Sequence, residues 1–253
     1  DRADTVAPSV VSVQASGITT GLQSNNAALL NMLSVNGSAS VTNTAVIGNT
    51  VTSGTLYWAF DSGSEYFNHL AAGEQLVLTY TVRAGDSASG NTDRSVTVTI
   101  TGSNDAPTVT IASPSGFVEA VDASAQALSA SGNVVFADVD ASDQIDVGFL
   151  PLAPAVWSGG PLSPTLAQSL ANGFAVSANN VAVTSPVGWT YSHAASDLDF
   201  LGAGETITFS YTVLVTDAQG QQVTTPVEFT LTGSNDGPSL SATTAITVTD
   251  TAG

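Results

Sequence analysis

Cysteine is absent from this 253-residue sequence, which excludes disulfides and thiolate metal sites. Lysine is absent too, so intramolecular Lys–Asn cross-links and lysine chemistry are excluded. The three basic residues are Arg2, Arg83 and Arg94, set against 21 acids, and the formal charge is −18. A field of that sign repels phosphate backbones, so nucleic acid and anionic membrane surfaces are excluded as partners. No apolar run is long enough to span a bilayer, so direct membrane insertion is not expected. No signal peptide opens the chain, and Asp1 is not a natural start. The chain therefore reads as an internal excerpt of something longer. Only two histidines occur, His69 and His193. No nucleophile elbow, phosphate loop or zinc signature accompanies them, and an enzyme is not expected.

What is present is small, β-branched and repetitive. Short runs rich in Thr and Val favour strands, and 23 Gly with 10 Pro supply turns. TGSNDAP at Thr101–Pro107 recurs as TGSNDGP at Thr232–Pro238, 131 positions on. The same offset carries Trp58 to Trp189, Leu70 to Leu201, Glu74 to Glu205, Tyr80 to Tyr211 and Asp86 to Asp217. It also carries Glu119 onto Asp250. No gap is needed from Trp58 to Pro107, and chance does not give such a series in register. His193 falls on Ser62, so the histidines are outside the repeat.

Three units follow: 1–106 with its front missing, a complete unit 107–237, and the opening strand of a third at 238–253. The tail Ser239–Asp250 is alternatively a strand exchanged with a neighbouring chain. Alternating apolar residues predict strands at Val6–Val13, Ala39–Ile47, Thr55–Phe60, Gln75–Val82 and Arg94–Thr101 in the first unit. In the second they predict Thr108–Ile111, Gly132–Ala137, Phe174–Val183, Gly188–Ser192, Thr206–Val215 and Val223–Thr232. Helical turns are expected at Asn26–Leu33 and Pro164–Ala171. Many short strands with regular turns indicate an all-β chain of tandem Ig-like or cadherin-like β-sandwich domains. Trp58 and Trp189, which recur within strands, are expected in the two cores. Trp157 does not recur and lies in the Pro-rich stretch Pro151–Pro164, which reads as a loop.

The repeat resembles the VCBS-type repeats of giant bacterial surface adhesins of the RTX class. The resemblance rests on W-T-Y at Trp189–Tyr191, L-x-A-G-E at Leu201–Glu205 and Y-T-V-x-V-T-D-x-x-G at Tyr211–Gly220. The closing T-G-S-N-D-x-P, Glu119 after Gly116-Phe117-Val118, and F-x-D-x-D at Phe136–Asp140 add to it. Phe149–Gly173 is longer and more Pro-rich than that pattern, and the RTX nonapeptides are absent. The resemblance implies cadherin-like sandwiches, secretion to the bacterial cell surface, and a structural extender serving cell adhesion and biofilm formation. Neighbouring repeats of the same chain are the implied partners, with a host or biofilm surface ligand beyond them.

The placement of the acids points to calcium, which takes six to eight oxygen ligands. The strand after Glu74 leaves the junction between the units and the strand before Asn104 returns to it. Glu74, Asn104 and Asp105 therefore share one end of the first unit. Asp138 and Asp140 close a strand of the second unit, and Asp217 sits in its hairpin loop, so all six are expected to converge. Cadherins use a similar arrangement of a glutamate, an N-D linker and a D-x-D. A second junction repeats the pattern with Glu119, Glu205, Asn235 and Asp236. N-D-x-P is also a turn sequence, but a turn does not explain why Glu74, Asp86 and Asp105 all recur at one offset. Asp143 and Asp146 are weaker candidate ligands, for which a solvated loop is the preferred reading. The alternative function is a carbohydrate- or protein-binding module in which Trp157 stacks on the ligand.

Overall fold

The computed structural model describes residues 5–36, 54–123, 125–194, 198–238 and 249–250. The strand expected at Ala39–Ile47 lies outside them, as does nearly all of the tail Ser239–Asp250.

In chain order the first unit contains β1 (Val6–Gly17), α1 (Asn26–Asn31), β2 (Leu33–Val35), β3 (Trp58–Phe60), β4 (Gln75–Asp86) and β5 (Asn91–Thr101). The second begins with β6 (Thr108–Ile111), β7 (Phe117–Val118), β8 (Ala127–Ala137) and β9 (Gln144–Trp157). It continues through α2 (Pro164–Ala171), β10 (Phe174–Ala175), β11 (Ala178–Ala182), β12 (Val187–Ala194), β13 (Thr206–Thr216) and β14 (Gln222–Thr232). The described residues are all-β apart from two short helices. None of the described helices is long and apolar enough to cross a membrane.

The second unit is a two-sheet sandwich, with sheets ordered β10-β12-β8-β6 and β11-β9-β13-β14-β7. Strict alternation in β12, Val187 to His193 inward and Gly188 to Ala194 outward, presents Trp189 and Tyr191 to the core. There they meet Phe174, Phe209, Tyr211 and Phe229, with Phe209 and Phe229 stacked at 5.3 Å. Aromatic packing of this kind adds to plain burial.

Among the described residues the first unit builds the matching sheets from fewer strands, β1-β4-β5 and β2-β3. The pairings correspond: Phe60 lies opposite Leu33 as Tyr191 lies opposite Phe174. Its separate core is mainly aliphatic, from Val10 to Val82. Among the described residues it has no counterparts of β6, β7 and β8. That corrects the expectation for Trp58. Trp189 is 2% exposed, its strand paired with β8 at Gly132, whereas Trp58, beside which no described strand takes that place, is 51% exposed.

Two further expectations change. Pro151–Trp157 is not a loop but the second half of β9, paired with β13 through two register shifts. β11 pairs with β9 only up to Val147 and leaves that half of β9 as an edge. Proline is tolerated there because no ladder hydrogen bond is lost. The segment Phe174–Val183, read as one strand, divides into β10 and β11, which belong to different sheets.

Candidate metal centre

The two recurring motifs at the end of each unit are stitched together by backbone. Gly73 and Gly204 both have φ of +80°, a left-handed turn that favours glycine. Gly102 N–H then donates to Glu74 O at 2.9 Å, and Gly233 N–H to Glu205 O at 2.8 Å. The glutamate turn and the T-G-S-N-D segment are therefore one structural device, which is why they recur as a pair.

From that end the first unit reaches the second. Asn104 Nδ2 donates to Asp217 Oδ2 at 2.8 Å and to its neighbour's carbonyl, Asp105 O, at 2.8 Å. Asp105 N–H donates to Asp140 Oδ2 at 2.9 Å. Ser142 Oγ donates to Glu74 Oε1 at 2.7 Å, and Ala141 N–H to His69 O at 3.3 Å. Within the second unit Asp140 N–H donates to Asp138 Oδ1 at 3.0 Å. Asp217 Oδ1 closes its own hairpin by accepting from the N–H groups of Gln219 and Gln221. Asp86 does the same in the first unit, accepting from Ala88 and Gly90. The aspartate thus recurs for the hairpin, and its second oxygen is free to serve the junction.

Asp138, Asp143 and Asp217 each offer an oxygen within 4.8 Å of the others. Asp143 is buried at 4% exposure, which corrects its reading as part of a solvated loop. Gln219, with its amide nitrogen turned toward the acceptors, donates to Asn104 Oδ1 at 3.1 Å and to Asp143 Oδ2 at 2.8 Å. Gln219 lay outside the repeat argument, and the only sequence signal for Asp143 was its position three residues after Asp140. Asp146 sits in β9, where Oδ1 accepts from Asn180 N–H at 2.9 Å. It holds the irregular middle of β11, where the register shifts between Ala178 and Val181, and is not part of the cluster.

Burial and crowding show in the acidities. Asp140 is wholly enclosed, and burial, with Asp138 adding like charge, pushes it up to about 6 against the hydrogen bond from Asp105. Burial also raises Asp138 and Asp143, each with neighbouring carboxylates adding to the effect. Asp138 Oδ2 and Asp140 Oδ1 are buried with no hydrogen-bond donor. Buried carboxylate oxygens without donors are costly, and every candidate ligand atom here is an oxygen. That donor set suits a hard cation such as calcium and does not suit a soft one.

The second predicted group is only partly assembled. Glu119 is 2% exposed; Oε2 accepts from Ser234 N–H at 3.2 Å, and Oε1 has no partner. Its acidity is lowered, mainly by burial, with Asp236 and Asp199 adding repulsion. Asp236 Oδ1 is likewise buried without a partner, and Asn235 Nδ2 donates to Asp236 O as Asn104 does to Asp105. Glu205 instead turns toward Trp157, whose Nε1 donates to Oε2 at 3.1 Å. Gly202 N–H donates to the same oxygen at 3.0 Å. Trp157 is half-buried, edge-on to Phe200 at 4.9 Å. Asp199, which accepts from Ala123 N–H at 2.7 Å, was not singled out by the sequence.

No family model and no curated protein matches the chain. Among solved structures it is similar to protocadherin gamma B2 extracellular cadherin domains 1–5, at 14% identity and a TM-score of 0.36. That match covers 81% of this chain and 33% of the other. Human CDH23 EC21–23 matches at 12% identity and a TM-score of 0.37, over 90% of this chain and 62% of that one. Mouse protocadherin-24 EC1–3 matches at 13% identity and a TM-score of 0.29, over 90% and 58%. The chain thus spans about a third of the length of the first of these structures.

Proposed function

We propose that this chain is an extender segment of a secreted bacterial surface adhesin, stiffened by calcium where its repeats meet, and not an enzyme. Its units divide at Ala106 and Pro107, with a third opening at Pro238. The observation that carries the reading is the meeting of Asn104 and Asp105 with Asp217 and Asp140 beside the oxygens of Asp138, Asp143 and Asp217. Calcium would be held by oxygens of Asp138, Asp143 and Asp217, with Asp140, Asp105, Asn104 and Glu74 around them. A cation held jointly by two units removes the hinge between them. Without it, unit charges about 4 Å apart repel by about 4 kcal/mol at an effective dielectric near 20, which loosens the junction. The resemblance to VCBS-type repeats supports the adhesin setting, cell adhesion and biofilm formation, with a host or biofilm surface as the eventual target. Glu119, Asn235 and Asp236, with Glu205 close by in sequence, would begin a second such junction.

The test is a calcium titration followed by thermal melting and small-angle scattering. Midpoints of about 0.1–1 mM are expected for an extracellular module. Chelator should lower the melting temperature and broaden the range of interdomain angles. Asp143→Asn and Asp217→Asn should each weaken calcium binding by about tenfold or more. Melting that ignores calcium up to several times the expected midpoint would refute the assignment.

One observation favours a second reading, a ligand-binding module. Trp157, Pro161, Leu162, Leu166 and Phe200 line an apolar cleft of about 450 Å³. Titration with glycans or candidate proteins should quench Trp157 if this cleft is a binding site; unchanged emission removes that reading.

A further inference from the structure

The first unit presents a face that the second unit covers. In β14, Val227, Phe229 and Leu231 are fully buried. Their repeat equivalents in β5, Val96, Val98 and Ile100, point inward with the same alternation but are only partly buried. β14 is paired along its outer edge with β7, in parallel, with Leu231 opposite Phe117. β5 is the last strand of its sheet. On the other sheet β12 is flanked by β10 and β8, whereas β3 is flanked by β2 alone. Two strand edges and the apolar strip between them are therefore open at once, among the described residues. Exposed strand edges of this kind recruit further strands.

The second unit also gives the chemistry of the cover. Trp189 lies opposite Gly132 of β8. A Cβ at Gly132 would stand 2.8 Å from the indole ring, closer than any side chain can lie. The indole thus requires a glycine across from it. β8 carries no charge from Ala127 to Ala137, and its Leu128, Val134 and Phe136 are buried in the core. The occupant is thereby specified as an uncharged strand with inward apolar residues and a glycine in the Trp-facing place.

We propose that the open side of the first unit is an acceptor for an extended polypeptide segment of the β6–β8 type, seated with its glycine across from Trp58. In this arrangement the strand adds antiparallel to β3, and a Phe117-like residue pairs in parallel with Ile100 of β5. Trp58, at 51% exposure, becomes buried as Trp189 is.

The peptide Pro107–Asp138 is the probe, titrated into the full chain. It contains no Trp or Tyr, so the emission reports on the chain alone. The expected result is saturable binding by calorimetry with a blue shift of Trp58 emission. In the Trp58→Phe chain the heat should remain and the shift should vanish. A peptide carrying Gly132→Val should bind at least about tenfold more weakly, because the added methyls meet the indole. Absence of binding at about 1 mM peptide overturns the proposal. So does equal affinity of the Gly132→Val peptide, or a blue shift that survives Trp58→Phe and so reports exchange into the second unit. A concentration-dependent dimer that the peptide fails to dissociate would put a second copy on this face, and overturns it as well.

Discussion

Asp140 combines complete burial, an oxygen without a donor and a neighbouring carboxylate, and its acidity records the cost. Its pKa, raised to about 6, means that the folded chain keeps a proton that the unfolded chain releases near pH 4. In chelator this stabilisation is complete below about pH 4 and is lost as pH rises through about 6. Melting in EDTA should therefore be higher at about pH 5 than at about pH 7, and Asp140→Asn should flatten the difference. An unchanged pH slope in that variant would show that Asp140 is not the source. Calcium needs the carboxylates ionised, so its affinity should rise from about pH 5 to about pH 7, the opposite trend. Much of this cluster could be read from the chain, because Asp105, Asp140 and Asp217 sit in motifs whose places a hairpin topology predicts. Asp143 reads from the chain only as a weaker candidate, because its burial and its hydrogen bond from Gln219 are tertiary effects with no local pattern. Glu205 differs from Glu74 for the same kind of reason: only the second unit sets an indole beside it.

Strand positions followed from alternation, since β4, β5, β13 and β14 each place every second residue inward. β9 escaped detection because Pro151 and Pro154 mimic a loop, and only the edge position of that half-strand accommodates them. The exposure of Trp58 escaped as well, since the two recurring tryptophans differ in what is paired beside them: Gly132 of β8 lies next to Trp189, and no described strand takes that place at Trp58. β8 is the element that decides, and Gly132 is where it meets the indole. Gly132→Val within the chain should destabilise the second unit by about 1–3 kcal/mol through overpacking, read by urea denaturation. The first unit, where no described strand lies beside Trp58 on that side, should be unaffected. A loss smaller than about 0.5 kcal/mol would mean that β8 shifts away freely and is not the fixed wall inferred here.

The two units have separate cores and unequal completeness, and this bears on how the whole chain unfolds. The second buries an aromatic cluster between two sheets, while the first, among the described residues, leaves β3 and β5 as open edges. In chelator, calorimetry should resolve two transitions, the lower from the first unit. Two tyrosines allow each to be assigned. Tyr80 Oη donates to Leu29 O at 2.8 Å, at the end of α1, and Tyr211 Oη donates to Leu170 O at 2.9 Å and Ala171 O at 3.1 Å, at the end of α2. Removing either hydroxyl deletes a buried hydrogen bond to a carbonyl that keeps other donors, Met32 N–H at Leu29 O and Tyr191 Oη with Gly173 N–H at Leu170 O, and costs about 0.5–1.5 kcal/mol. Tyr80→Phe should lower only the first transition, and Tyr211→Phe only the second. Calcium held at the shared junction, as proposed, would favour the folded form of both units, so it should raise the lower transition most and draw the two together. A single transition in chelator, moved equally by both variants, would mean that the units already melt as one block. Calcium would then have no hinge left to stiffen.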